Sequence, residues 1–231
     1  MILQQAIVAS SLGARRHENK VIAWSRGIDS DAAAKICDWS PIPDDFAAGT
    51  SSCMSVYPAT NGLTAISRSL LTKSGTRSIV RTRVALAGPD KIASFGNNPM
   101  TLARVLESSG HLSPLETESN ELTQIEVPDM GIPDLRQTLP SFLNGIPKKI
   151  HHAIDVHGRC ALLGLEQPKA FLCGYMETLS IPNRQRMTLA IGLDIKDDNG
   201  QPNFRVNVFR QTNHEMDQRF ARLQIRTIHA V

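Results

Sequence analysis

Residues 63–87, LTAISRSLLTKSGTRSIVRTRVALA, constrain the fold more than any other stretch. In the run 78–87, Val80, Thr82 and Val84 alternate with Arg81, Arg83 and Ala85, the period-two pattern of a strand. Lys73-Ser74-Gly75-Thr76 ahead of it has turn chemistry. By its own pattern the run 63–71 fits a helix or a strand, and the turn and strand after it decide for a strand. The fold is therefore built around a β-hairpin.

Other segments extend the sheet. ILQQAIVA (2–9) and VIAWS (21–25) flank a polar, basic stretch and predict an N-terminal hairpin. RMTLAIGLDI and NFRVNVFR flank KDDNGQP, with Asn199-Gly200 at its centre, and predict a C-terminal hairpin. RCALLGLE has the look of a buried strand. The tail from Asn213 predicts a short helix running into a last strand. Residues 44–62, rich in Gly, Ser, Thr, Pro and Asn, are expected to form a surface loop.

Helix signals fall between these strands. Asp29 or Ser30 can cap a helix over DAAAKIC, which Pro41 and Pro43 end. Asn98 caps a second helix with Pro99 in its first turn, and Gly110 is placed for a left-handed stop. Further helices are expected over 134–145, over 147–158 with Pro147 at its head, and over 168–179 with Phe171, Tyr175 and Leu179 on one side. The acidic, proline-punctuated residues 111–133 suggest a boundary. The expected fold is α+β: antiparallel β-hairpins with packed helices, in two lobes. Residues 1–130 form the first, and residues 131–231 the second, ending in a β-hairpin.

Composition narrows the function classes. A chain of 231 residues can bury a core without staples. Aromatics are only 5%, so that core leans on Leu, Ile, Val and Ala. The net charge of +3 is mildly basic and short of the excess a dedicated nucleic-acid binder carries. Cys37, Cys53, Cys160 and Cys173 form no Cys-x-x-Cys pair and are expected to be free thiols. No apolar run approaches the roughly 20 residues that span a bilayer, and MILQQAIVASS lacks a basic n-region. A cytoplasmic protein without membrane contact is expected.

Candidate chemistry is sparse. His151, His152, His157 and Cys160 carry zinc-type ligands, but adjacent histidines diverge by about 100° on a helix and the spacing matches no closed site. A solvated helix end accounts for them, and no metal or other cofactor is expected. No Ser or Cys lies in a nucleophile elbow, and both glycine-rich phosphate loops are missing, so no catalytic residue is assigned. Asp194, Asp197 and Asp198 fail the calcium-loop order and suit a turn. The densest basic stretch is Arg68, Lys73, Arg77, Arg81 and Arg83. Arg77, Arg81 and Arg83 share one parity and so one sheet face, either a solvated face or a partner-binding strip for an acidic protein or for phosphates. No aromatic interleaves it for base stacking.

The order of segments resembles bacterial GTPase-associated proteins over roughly residues 2–210. QQAIVASS leads to IAWSRGIDSD and PIPDD; then come SGTRSIVRTRVAL, ASFGNNPMTLARVLESSG and LSIPNRQRMTLAIGLDI. The resemblance implies a component of bacterial conflict or anti-phage systems encoded beside a GTPase, acting as an adaptor or regulator. It carries over no catalytic residue. The expected function is that of a non-enzymatic adaptor or regulatory subunit. The alternatives are a basic-surface nucleic-acid binder, and a hydrolase or metal-dependent enzyme using His151, His157 and Cys160.

Overall fold

The computed structural model describes residues 1–12, 17–42, 52–74, 77–113, 120–127, 139, 143–193, 204–210, 212 and 214–230; at 11–12, 17–18, 72–74 and 77–78 it describes the backbone alone. The chain opens with β1 (Ile2–Leu12), β2 (His17–Ser25) and α1 (Ser30–Asp38). Next come β3 (Ser52–Pro58), β4 (Thr64–Ser74), β5 (Arg77–Ala87), α2 (Pro89–Ala93) and α3 (Pro99–Ser108). Two short strands, β6 (Glu121–Leu122) and β7 (Ile125–Glu126), precede α4 (Ile146–His157). The rest is β8 (Cys160–Leu163), α5 (Pro168–Glu177), α6 (Ile181–Arg186), β9 (Leu189–Ile191), β10 (Val206–Val208), α7 (His214–Arg222) and β11 (Arg226–His229).

These strands form one mixed sheet in the order β11-β8-β10-β9-β3-β4-β5-β1-β2-β6, with β7 added against the start of β1. The stretch from β3 through β2 is antiparallel, and β9, β10, β8 and β11 run parallel. Strands from segments 1–130 and 131–231 meet where β3 pairs β9 antiparallel, Met54 opposite Ile191. The fold is α+β, with helices on both sides of the sheet. On one face Leu3, Ile66, Ala85, Leu162 and Val206 pack with residues of α2, α3, α4 and α5. On the other, Ala6, Tyr57, Val84, Ala161 and Ala190 pack with Ile36 of α1 and with Met216 and Phe220 of α7. Alternation along each strand sends neighbours to opposite faces, so both cores are drawn from the same strands.

Two expectations are corrected. Residues 52–58 are not surface loop: β3 is a central strand with Cys53 to Tyr57 buried. Its buried serine, Ser55, is tolerated because its hydroxyl pairs across the sheet, as does that of Ser69 on the next strand. Ser55 Oγ lies 2.7 Å from Ser67 Oγ on β4, and Ser69 Oγ of β4 lies 2.6 Å from Thr82 Oγ1 on β5. The expected C-terminal hairpin is also replaced, because β9 and β10 pair parallel, Val206 opposite Leu189. Residues 192–205 separate them, and a connection of about a dozen residues suffices to return the chain to the same end of the sheet. Both strands are largely buried, β9 as the apolar run Leu189-Ala190-Ile191 and β10 with Asn207 between Val206 and Val208, its amide donating to Phe204 O at 3.0 Å. The Asn199-Gly200 turn, the aspartates 194, 197 and 198, the 75–76 turn and most of the helix expected over 134–145 lie outside the described residues.

The caps follow the local chemistry. Asp29 Oδ1 accepts from Ala32 N at 2.7 Å and starts α1. Asn98 Oδ1 accepts from Met100 N at 3.1 Å, while its amide donates to Cys173 O and to Glu177 Oε1, tying the start of α3 to α5. Gly158 closes α4 at φ 75°, a left-handed position. No helix among the described residues is long and apolar enough to cross a membrane.

Candidate partner-binding surface

The hairpin strip predicted from the sequence is divided by the fold. Arg68 on β4 sits opposite Arg83 on β5, Leu70 opposite Arg81, and Ser74 opposite Arg77. Ile66 and Ala85, the next pair on the same face, belong to the core that α3 covers. Arg83 is therefore interior, 7% exposed, and not part of an open strip. Its Nε and Nη2 both donate to Gln5 Oε1, at 3.0 and 2.7 Å, and its Nη1 donates to Ser113 O at 3.1 Å. Burial lowers its pKa from the usual guanidinium range. Arg68 reaches Glu107 at 3.7 Å, a carboxylate that also holds Lys169 at 2.5 Å. Arg81 is half-buried, and the side chains of Lys73 and Arg77 lie outside the described residues.

A different basic surface lies at the far edge of the sheet. β11 pairs with β8 on one side, and among the described residues no strand pairs with its other side. Helix α4 packs against one face of β11 and α7 against the other. Ala230 N donates to Leu163 O at 3.0 Å. In a parallel pair each residue directs its N–H and C=O to the same side and its neighbours direct theirs to the other. Ile228 and Ala230 thus face β8, while Thr227 and His229 present their backbone groups to the open edge.

A groove of about 710 Å³ runs along this edge, lined from α4 by Lys149, His152, Ala153 and His157, and from β11 by Arg226 through His229. It continues past His157 and Arg226 into a hollow of about 410 Å³ beside Gln224 and Ile225. No carboxylate lines either hollow among the described residues. Val156, 60% exposed, adds an apolar point on α4. On the α7 face, His229 Nε2 lies 3.2 Å from Asp217 Oδ1 and Nδ1 lies 3.5 Å from Thr212 Oγ1. Carboxylate, imidazole and hydroxyl stand in the order of a nucleophile relay, but the hydroxyl contact is long for a proton transfer. The His229 ring thus lies beside the Asp217 carboxylate at the end of β11.

The four zinc-type residues go separate ways. His151 leans on Tyr175 with ring centroids 5.8 Å apart, and His152 and His157 turn to the groove. Cys160 is fully buried at the start of β8, where loss of solvent pushes its thiol up to about 12. Among the described residues no three His, Cys, Asp or Glu side chains gather to hold a metal. Sequence reasoning found α4's histidines and the last strand but did not join them. Spacing in the chain says nothing of which strand ends a sheet, and only the crossover that carries β11 past β10 to the outer side of β8 brings it beside α4.

Fold and surface together define an α+β protein with a mixed sheet and an open, basic strand edge. No protein-family model, curated protein or solved structure matches this chain.

Proposed function

We propose that the chain is a non-enzymatic adaptor or regulatory subunit that holds a protein partner in the groove between α4 and β11. The observation that carries this reading is the edge of β11 that no strand among the described residues pairs, flanked by Lys149, His152, His157 and Arg226 with no described carboxylate lining it. An exposed strand edge is a liability that proteins cover, and a bound partner is one way to cover it. The resemblance to GTPase-associated proteins makes a GTPase of a bacterial conflict or anti-phage system the first partner to try.

The test is affinity capture of the tagged protein from its own host, with and without nuclease, in parallel with a Lys149→Glu/Arg226→Glu double variant. The expected result is one stoichiometric protein that survives nuclease and is lost from a variant with unchanged thermal stability. Equal capture by both forms would place the partner elsewhere. Capture of nucleic acid alone would move the reading to a phosphate-binding groove.

A further inference from the structure

We infer that the segment seated in this groove is an extended, acidic peptide that adds to the sheet as a strand beyond β11. The inference rests on the adaptor reading and names the chemistry of the partner element. Three observations converge on it.

First, Thr227 and His229 hold out the N–H and C=O groups that a further strand would use, about 4.8 Å from the next backbone. Recognition by strand addition draws its affinity from such main-chain bonds. Second, the groove lies along the whole of β11, whose four residues span about 13 Å at the rise of a strand. A short extended segment fits beside it, whereas a helix with its side chains is about 10 Å across. Third, the charge is one-sided. Ile228 packs in the core on the α4 side, so Arg226, of the same parity, is directed to that side, beside Lys149 and His152. Side chains of an added strand alternate between the α4 side and the α7 side. Acidic residues at every second position would all meet the cations.

Single-stranded nucleic acid is the less suited occupant. Among the described residues no Phe, Tyr or Trp lines the groove to stack a base, and a phosphate chain would leave the open N–H and C=O ladder half used.

The probe is a fluorescein-labelled peptide of alternating Glu and Val, titrated against the whole chain by fluorescence anisotropy. Its counterparts are a Lys/Val peptide, two Glu/Val peptides N-methylated on one or the other alternate set of residues, and a single-stranded oligonucleotide of similar length. The acidic peptide is expected to bind. The Lys/Val peptide is expected to bind at least about tenfold more weakly, as is the Glu/Val peptide to the Lys149→Glu/Arg226→Glu variant. Methylation of one set should abolish binding and methylation of the other should spare it. The sensitive set reports whether the strand adds parallel or antiparallel.

Thr227→Pro removes an outward N–H and leaves the β8 ladder intact, since proline is accepted on the open side of an edge strand. It should lose the peptide while the thermal midpoint holds; if it unfolds, the methylated peptides carry the same test. Binding that survives methylation of both sets, or is lost equally with either, overturns strand addition. So does tighter binding of the oligonucleotide. In host capture, a partner lost from the charge-reversed variant but kept by folded Thr227→Pro leaves the adaptor reading standing and removes the strand. A partner kept by both removes both.

Discussion

Arg83 sets two of its guanidinium nitrogens on a single oxygen, Gln5 Oε1, at 3.0 and 2.7 Å. Gln5 is itself buried, accepts on its side-chain oxygen, and donates its amide to Thr123 O. The pair therefore links β5, β1 and the segment before β7 through the interior. Arg83→Ala strands the Gln5 oxygen and Ser113 O without a donor, and is expected to cost about 2–4 kcal/mol in urea unfolding. Arg68→Ala, which removes a longer and partly exposed ion pair, should cost less than about 1 kcal/mol. Equal effects would show that Arg83 is not the structural member of the strip.

Asn98 works as a cap and as a tie in one residue. Aspartate normally serves well at a helix start. Here Asn98→Asp would keep the bond to Met100 N but lose the donors to Cys173 O and Glu177 Oε1, and would set two carboxylates about 2.6 Å apart. It should therefore destabilise at least as much as Asn98→Ala, by about 2–4 kcal/mol. A milder effect for Asp than for Ala in denaturant titrations contradicts the tie.

The Tyr57 hydroxyl is buried without a hydrogen-bond partner among the described residues. Its ring stacks on Trp39 at 5.3 Å and meets Phe204 at 6.1 Å, joining α1, β3 and the approach to β10. Removing the hydroxyl and keeping the ring should help, so Tyr57→Phe is expected to raise stability by up to about 1 kcal/mol. Tyr57→Ala should lower it by about 3–5 kcal/mol. A destabilised Phe variant would mean that the hydroxyl is satisfied in solution.

Cys160 titrates near 9.0 in an unfolded chain and near 12 in the folded one. Above pH 9 the unfolded state gives up a proton that the folded state keeps, so this group's stabilisation is whole below 9 and falls as pH rises toward 12. The slope is about 1.4 kcal/mol per pH unit. Cys37 and Cys173 are shifted the same way by burial and add to it. Cys160→Ala should flatten the alkaline loss of stability, read as urea midpoints from about pH 8 to about pH 11. An unchanged slope would show the thiol to be solvated.

Much of the local structure was legible because it depends on neighbours in the chain. Asp29, and Asn98 with Pro99, mark helix starts by their own backbone chemistry, and α1 and α3 begin there. The alternation in 78–87 marks β5 for the same reason. The strand at 52–58 was hidden because its serines carry turn chemistry until Ser67 stands opposite Ser55 and satisfies one of them. Of the candidate site, the sequence showed cations and histidines but not their exposure. Arg83 and Arg68 look alike in the chain and stand opposite each other in the sheet, and they differ because Gln5 of β1 and Ser113 enclose Arg83 while Arg68 reaches Glu107 at a partly exposed position.

By itself, then, the sequence determined the α+β class, the long hairpin of β4 and β5 and the helix caps, all set by contacts between near neighbours in the chain. The tertiary structure alone decided strand order and direction: β9 and β10 side by side and parallel, β11 at the margin. Those choices rest on which apolar faces bury each other across long separations, where Ile228 meets the core under α4 and Phe220 meets Phe209 on the other side. The open edge between Lys149 and Arg226 is a product of that packing, since no local rule places a strand last in its sheet.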